Sequence, residues 1–134
     1  MNNSSTAAAE GRSGKFLYIA EKPSVAREFA SVLNERMTKK DGYNEGEHSI
    51  VTWCIGHLVT MSYPEVYDEK YKFWRMETLP FLPEKFLYEV IGESGVKEQF
   101  QTVRGLLNRP DVARIYVCTD SGREGEYIYR LVEQ

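Results

Sequence analysis

Three carboxylates are crowded into one short polar segment of the chain. This segment, Thr119 to Glu126, directly follows the apolar run Ala113 to Cys118, which is typical of a buried strand. Its acids are Asp120, Glu124 and Glu126. Because a hard cation such as Mg²⁺ takes oxygen ligands, the pattern predicts a metal site where a strand ends.

A helix is predicted to begin within the same segment. Ile128, Leu131 and Val132 recur at helical spacing after it. Carboxylates in a first helical turn are favoured by the helix dipole. Gly122 and Gly125 are expected to let the backbone of neighbouring segments approach closely.

A second acidic segment follows another short apolar run. Glu21 and Lys22 come directly after Phe16 to Ala20, and Pro23 and Ser24 provide the residue types with which helices begin. In parallel α/β sheets the carboxyl ends of neighbouring strands open onto a shared crevice. The two acidic strand ends are therefore predicted to form one site.

Four motifs in order make the chain resemble the TOPRIM module of type IA DNA topoisomerases, and the topoisomerase III branch most closely. They are Ile19 to Ala26, Trp53 to Val59, Tyr71 to Arg75 with the following Leu-Pro pairs, and Thr119 to Glu126. The resemblance covers roughly Lys15 to the last residue. It implies a TOPRIM fold, which is Rossmann-like α/β with a mostly parallel sheet flanked by helices.

The resemblance also implies roles for individual residues. Glu21 matches the general acid/base residue that protonates the leaving 3′ oxygen, and Lys22 beside it matches a contact to the scissile phosphate. Arg123 is assigned to catalysis and DNA contact because its planar guanidinium can bind phosphate or orient a carboxylate. His57, in the triplet Gly56 to Leu58, is predicted to border the DNA path.

Metal binding is predicted for Glu21, Asp120 and Glu124. The family pattern usually carries a third acid two residues after the first, and here that position is Gly122. One Mg²⁺ ion is therefore expected and a second is doubtful. Glu126, water or DNA phosphate are open alternatives for completing the ligand set.

The function implied is ATP-independent cleavage and rejoining of one DNA strand, which changes DNA topology. The family's nucleophilic tyrosine lies in another domain, and none of the nine tyrosines here stands in a matching motif. The chain alone is expected to be inactive, and its expected partners are single-stranded DNA and the remaining topoisomerase domains. Two alternatives stay open: a free-standing TOPRIM-like module that binds metal or DNA without catalysis, and a primase- or nuclease-type TOPRIM enzyme.

Composition bounds these hypotheses. The 134 residues suffice for one domain, and 42% hydrophobic content is ordinary for a globular protein. A net charge of −3 argues against tight autonomous DNA binding. Cys54 and Cys118 are predicted to be buried free thiols, which suits a cytoplasmic location, and no apolar run is long enough to cross a membrane.

The predicted element order is strand, helix, strand, long loop, strand, helix, strand, helix. Residues 1–14 are interpreted as a disordered leader or a cloning remnant, and residues 15–134 as one TOPRIM domain that is incomplete at its C-terminus. The sequence ends within the predicted last helix, whereas the resemblance implies a module that continues into another strand, so the sheet is expected to stop before its final strand. Such an open edge would be prone to self-association.

Overall fold

A computed structural model describes residues 14–134 of the chain. The predicted leader therefore lies almost wholly outside the described residues. The strands are β1 (Lys15–Ala20), β2 (Thr38–Lys40), β3 (Tyr43–Glu45), β4 (Ser49–Trp53), β5 (Val59–Met61), β6 (Tyr88–Val90) and β7 (Val112–Cys118). The helices are α1 (Pro23–Val32), α2 (Pro64–Tyr67), α3 (Val96–Leu107) and α4 (Arg123–Glu133). Two short 3-10 turns, Glu69–Lys72 and Met76–Thr78, follow α2.

Five strands form the main sheet in the order β2-β3-β4-β1-β7. The three strands β4, β1 and β7 are parallel, with Leu17 of β1 opposite Ile50 on one side and Ile115 on the other. The strands β2 and β3 extend the sheet as an antiparallel hairpin. The predicted α/β class with a mostly parallel arrangement of its long strands is confirmed.

Alternating residues of β1 are buried on opposite faces of the sheet. Leu17 and Ile19 are fully buried in a core shared with residues of α3 and α4. Tyr18 and Ala20 pack on the other face, where α1 contributes Ala26 and other residues. This alternation follows from the two-residue period of a strand, and it gives the three-layer arrangement of helices on both faces of a sheet.

Two elements are shorter than the sequence patterns indicate. Within the apolar segment Phe86 to Ile91, for which the pattern predicts a strand, Tyr88–Val90 is extended and pairs with β5 in a separate two-stranded antiparallel sheet. The helical spacing of apolar residues after Pro23 continues to Met37, but the first helix does not. It ends at Val32, and the positive φ of Asn34 (52°) turns the chain away.

The long segment between β5 and β6 is partly ordered by an aromatic cluster. Tyr67 and Tyr71 both meet Phe81 edge-on, with ring centroids 5.0 and 4.9 Å apart. The Tyr67 hydroxyl also accepts a hydrogen bond from the backbone N–H of Leu87 at 2.6 Å. These tyrosines therefore anchor the connection.

The remaining features of the fold concern the two cysteines, the length of the helices and the outer edge of β7. Both cysteines are free thiols as predicted, but Cys118 is only half-buried. No helix among residues 14–134 is long and apolar enough to cross a membrane. Within the same residues β7 pairs only with β1, so its outer edge is open, and Ile115, Tyr116 and Val117 are each between 37% and 40% exposed.

Candidate active site

The ends of β1 and β7 bring the two acidic segments into direct contact. The strands are neighbours in parallel register, with Ala20 opposite Cys118. Immediately beyond them, the backbone N–H of Asp120 donates a hydrogen bond to Oε2 of Glu21 at 3.3 Å. Residues 99 positions apart in sequence thus share one edge of the sheet, as the apolar runs predicted.

The glycine at the start of α4 sets how closely that helix approaches β7. A Cβ placed on Gly125 would overlap the carbonyl oxygen of Asp120 and lie 2.8 Å from its nitrogen. The close approach expected for Gly125 is therefore present. At Gly122 it is absent, because a Cβ there meets no atom within 4 Å.

A third segment reaches the site through His57. Its Nε2 lies 2.6 Å from Oε1 of Glu124, and its ring meets the ring of Tyr127 edge-on at a centroid distance of 5.7 Å. His57 follows Gly56, whose φ of +62° favours glycine. The turn after β4 therefore places an imidazole against the first turn of α4.

A buried thiol underlies the carboxylate of Glu21. Cys54 has no exposed surface, and its backbone N–H donates to the carbonyl of Ala20 at 2.8 Å. Burial, together with the negative charge of the nearby Glu21, raises the pKa of the Cys54 thiol to about 12. The buried thiol is therefore neutral near pH 7.

Two exposed cations flank the carboxylates. Lys22 is the N-cap residue of α1 in extended conformation, and Arg123 is the first residue of α4. In residues 14–134 neither side chain forms a salt bridge with an acidic residue. Both positive charges are therefore available to an anion at the ends of these helices.

The acids divide into two groups. Glu21, Asp120 and Glu124 lie on segments that touch one another, whereas Glu126 is bound to Arg130, with Oε1 2.8 Å from Nε. Across the described part of the chain, no three His, Cys, Asp or Glu side chains are grouped closely enough to form a ready metal cage. The donor set is nevertheless carboxylate oxygen, which fits Mg²⁺, an ion that takes one or two carboxylates and keeps several waters.

Sequence reasoning did not identify Tyr127 as part of the site. It also did not predict that His57 contacts Glu124 and Tyr127. The spacing contained a signal for the tyrosine, because residues three apart on a helix lie on one face and Tyr127 is three after Glu124. The approach of His57 to that face had no local signal. It depends on the path of the chain between β4 and β5.

Comparison with known proteins gives a consistent result. A family model described as Toprim domain matches residues 16–134. DNA topoisomerase 3 of Bacillus thuringiensis (strain Al Hakam) is 52% identical over 119 residues, which are 88% of this chain and 16% of that protein. DNA topoisomerase 3 of Bacillus anthracis gives the same values. The protein of that name from Staphylococcus haemolyticus (strain JCSC1435) is 46% identical over 118 residues, again 88% of this chain and 16% of the relative.

Proposed function

The chain belongs to the Toprim domain family, and we propose that it supplies one half of the active site of a topoisomerase III-like, type IA DNA topoisomerase. In this proposal the parent enzyme cleaves and rejoins one DNA strand without ATP. The chain spans about 16% of the length of the curated relatives it matches. In this proposal the nucleophilic tyrosine and most of the DNA-binding contacts therefore belong to other parts of the enzyme.

The observation that carries the proposal is the contact between the two acidic strand ends. The hydrogen bond from Asp120 N–H to Glu21 places a candidate proton donor beside a candidate metal ligand. Strand cleavage needs both functions. An alkoxide leaves poorly unless it is protonated, and a phosphate approaches carboxylates only if their charge is offset.

In the proposed chemistry Glu21 gives a proton to the 3′ oxygen that leaves when the strand is cut and takes it back on rejoining. Lys22, adjacent in the chain and exposed, contacts the same phosphate. Arg123 binds a phosphate oxygen at the start of α4, where helix N–H groups also favour an anion. His57 lies along the DNA path beside Glu124.

Mg²⁺ is the proposed cofactor, held by Asp120 and Glu124, with Glu21 as a further ligand in the ionised state that it has after giving up its proton. When bound, the ion offsets the negative charge of the carboxylates and of the DNA phosphate. A single ion is proposed because Gly122 provides no side-chain ligand. The proposed partners are single-stranded DNA and the rest of the topoisomerase, and the proposed location is the cytoplasm.

The metal site can be tested on the chain itself by NMR titration with Mg²⁺. We expect coupled shifts of the backbone amides of residues 21–24 and 119–126, with a common dissociation constant. A Glu124→Gln variant should weaken binding, and Glu28→Gln, an exposed acid on α1, should not. Absence of shifts at about 10 mM Mg²⁺, a concentration well above the dissociation constants of the weakest physiological cation-binding modules, would favour the alternative of a module without catalysis.

The catalytic role needs the other domains of the proposed parent enzyme, and a chimera can provide them. Residues 16–134 would replace the matched region of the Bacillus anthracis relative, with which the chain shares 52% identity. The chimera should relax negatively supercoiled plasmid in the presence of Mg²⁺. Its Glu21→Gln form should retain binding of single-stranded DNA but not cut it, and retained cleavage would contradict the acid/base role. Cleavage of single-stranded DNA by the chain alone would instead support the nuclease-type alternative.

A further inference from the structure

We infer that His57 is a positioning residue that fixes the carboxylate of Glu124 for metal binding. The inference rests on the proposed function, because it concerns a ligand of the proposed Mg²⁺ site. It assigns His57 a task apart from contact with DNA. The residue would act through Glu124 rather than on the substrate.

The contact has the geometry of a strong, charge-assisted hydrogen bond. The distance from Nε2 of His57 to Oε1 of Glu124 is 2.6 Å. A carboxylate only accepts hydrogen bonds, so Nε2 must carry the hydrogen and donate it. This bond leaves the second carboxylate oxygen free to bind a cation.

Glu124 has little else to restrain it. Its side chain is 76% exposed, and in residues 14–134 its carboxylate has no other hydrogen-bond or salt-bridge partner than His57. An exposed glutamate with three rotatable bonds would otherwise sample many rotamers. The imidazole is therefore the group that selects one of them.

The segment that carries His57 is anchored by contacts on both sides of the histidine. The next residue, Leu58, is fully buried, and its carbonyl accepts a hydrogen bond from the N–H of Ile91 at 3.0 Å. On the other side, Cys54 is buried and hydrogen-bonded to the end of β1. The ring is only 32% exposed and rests against Tyr127, one helical turn beyond Glu124.

This arrangement matches a general device of metal sites, in which a neighbouring group orients a ligand before the ion arrives. Loss of such a group typically lowers metal affinity by about 10- to 100-fold. Because Glu124 is exposed here, we expect the lower end of that range. The loss of Mg²⁺ affinity should depend on the loss of the hydrogen bond to Glu124 and not on the loss of the imidazole ring as such.

The test compares His57→Ala with His57→Gln, whose side-chain amide can donate to Glu124 in place of Nε2. His48→Ala, at an exposed histidine outside the site, is the matched control. Two quantities are measured for each variant: the Mg²⁺ dissociation constant, and the rotamer averaging of Glu124 from side-chain scalar couplings without metal. Thermal unfolding identifies any general loss of folding.

We expect His57→Ala to lose the fixed Glu124 rotamer and to bind Mg²⁺ about tenfold more weakly, with recovery of both in His57→Gln. Equal binding by His57→Ala would overturn the inference, since the histidine would then have no effect on the metal site. Tighter binding would also overturn it, since it would mean that the histidine competes with the ion. An already averaged Glu124 in the unsubstituted chain would also overturn it. If the unsubstituted chain binds no Mg²⁺, the proposed metal site fails, and the rotamer measurement still decides whether His57 fixes Glu124.

Discussion

The Cα of Gly125 packs directly against the main chain of Asp120, with no room for a side chain between them. A Cβ at this glycine would overlap the Asp120 carbonyl oxygen and lie 2.8 Å from the Asp120 nitrogen. The start of α4 is thereby held against the end of β7. This contact sets the separation between Asp120 and Glu124, the two residues that we propose as principal metal ligands.

Substituting Gly125 should therefore damage the site more than an ordinary helix substitution. Gly125→Ala is expected to destabilise the chain by about 2 kcal/mol or more, because backbone rather than a flexible side chain must move. Mg²⁺-dependent NMR shifts should weaken at the same time. Urea unfolding and the titration measure the two effects.

Gly105 on α3 offers the matched control, since a Cβ there meets no atom within 4 Å. Gly105→Ala should stabilise the chain by about 0.5 to 1 kcal/mol, as expected for alanine in a helix interior. If both alanine variants behaved alike, the close packing of Gly125 would not matter to stability.

Gly122, unlike Gly125, has room for a side chain, and its backbone has a conformation that any residue can adopt. Its φ and ψ are −78° and 169°, it is the N-cap residue of α4, and no atom lies within 4 Å of a Cβ. Gly122→Asp should therefore fold normally and add a further carboxylate to the site. We expect Mg²⁺ affinity to rise by about three- to tenfold, since ligand charge count tunes such sites.

The control for that substitution is Gly122→Asn. Aspartate and asparagine are comparable N-cap residues, so both should change stability in the absence of metal by less than about 1 kcal/mol. Only the aspartate should tighten Mg²⁺ binding in the titration. Equal affinities for the two variants would place residue 122 outside the metal site.

Local patterns were sufficient to predict the strands and helices that carry the acidic residues. β1 and β7 are short apolar runs that end in polar residues, and α3 and α4 have clear helical periodicity. Because parallel strands end at one edge, the meeting of Glu21 with Asp120 followed from the same patterns. The sequence signal for these elements lies within each segment.

Features that depend on distant contacts were not predictable in this way. The hairpin of β2 and β3 has three residues in each strand and a largely polar sequence, so its only local signal is the turn dipeptide Asp41-Gly42. The pairing of β5 with β6 joins two short strands across a long connection. His57 and Glu124 are 67 positions apart in the sequence, and the residues next to each of them give no sign that the two are in contact.

An ion-pair network near the starts of β1 and β7, the opposite ends of these strands from the acidic segments, should make stability depend on pH. Glu45 on β3 accepts hydrogen bonds from Arg109 and Lys15, each at 2.7 Å, and these hold the pKa of its carboxyl at about 2, below the ordinary 4.5. A lowered folded-state pKa contributes stability that is present above about pH 4.5 and is lost as the pH falls toward 2.

Glu45→Gln should consequently cost about 1 to 2 kcal/mol at pH 7, after allowance for the solvent that reaches the network. The difference from the unsubstituted chain should shrink between pH 4.5 and pH 2. Urea unfolding at pH 7, 4 and 2.5 measures it, with Glu47→Gln as an exposed control that should have little effect. A difference that stayed constant over this range would show that the charge of Glu45 is not its source.

The buried side-chain amide of Gln99 should contribute as much to the stability of the main sheet as an apolar core residue does. Its side chain, on α3, donates to the carbonyl of Trp53 at 2.7 Å and to that of Gly42 at 3.1 Å, and also approaches the hydroxyl of Thr52. These acceptors lie at the end of β4 and at the hairpin turn, so one amide ties both to the helix.

Gln99→Leu would remove the side-chain donor from the part-buried carbonyl of Trp53, whereas the carbonyl of Gly42 would keep its hydrogen bond from the Thr52 hydroxyl at 2.9 Å. Loss of a hydrogen-bond partner inside a protein typically costs about 1 to 3 kcal/mol. Gln101→Leu, an exposed position on the same helix, should change stability by less than about 0.5 kcal/mol. Because Trp53 immediately precedes the segment that carries His57, the Gln99 variant should also increase amide hydrogen exchange of residues 53–58. Unchanged exchange there together with lower stability would mean that Gln99 supports the hairpin alone.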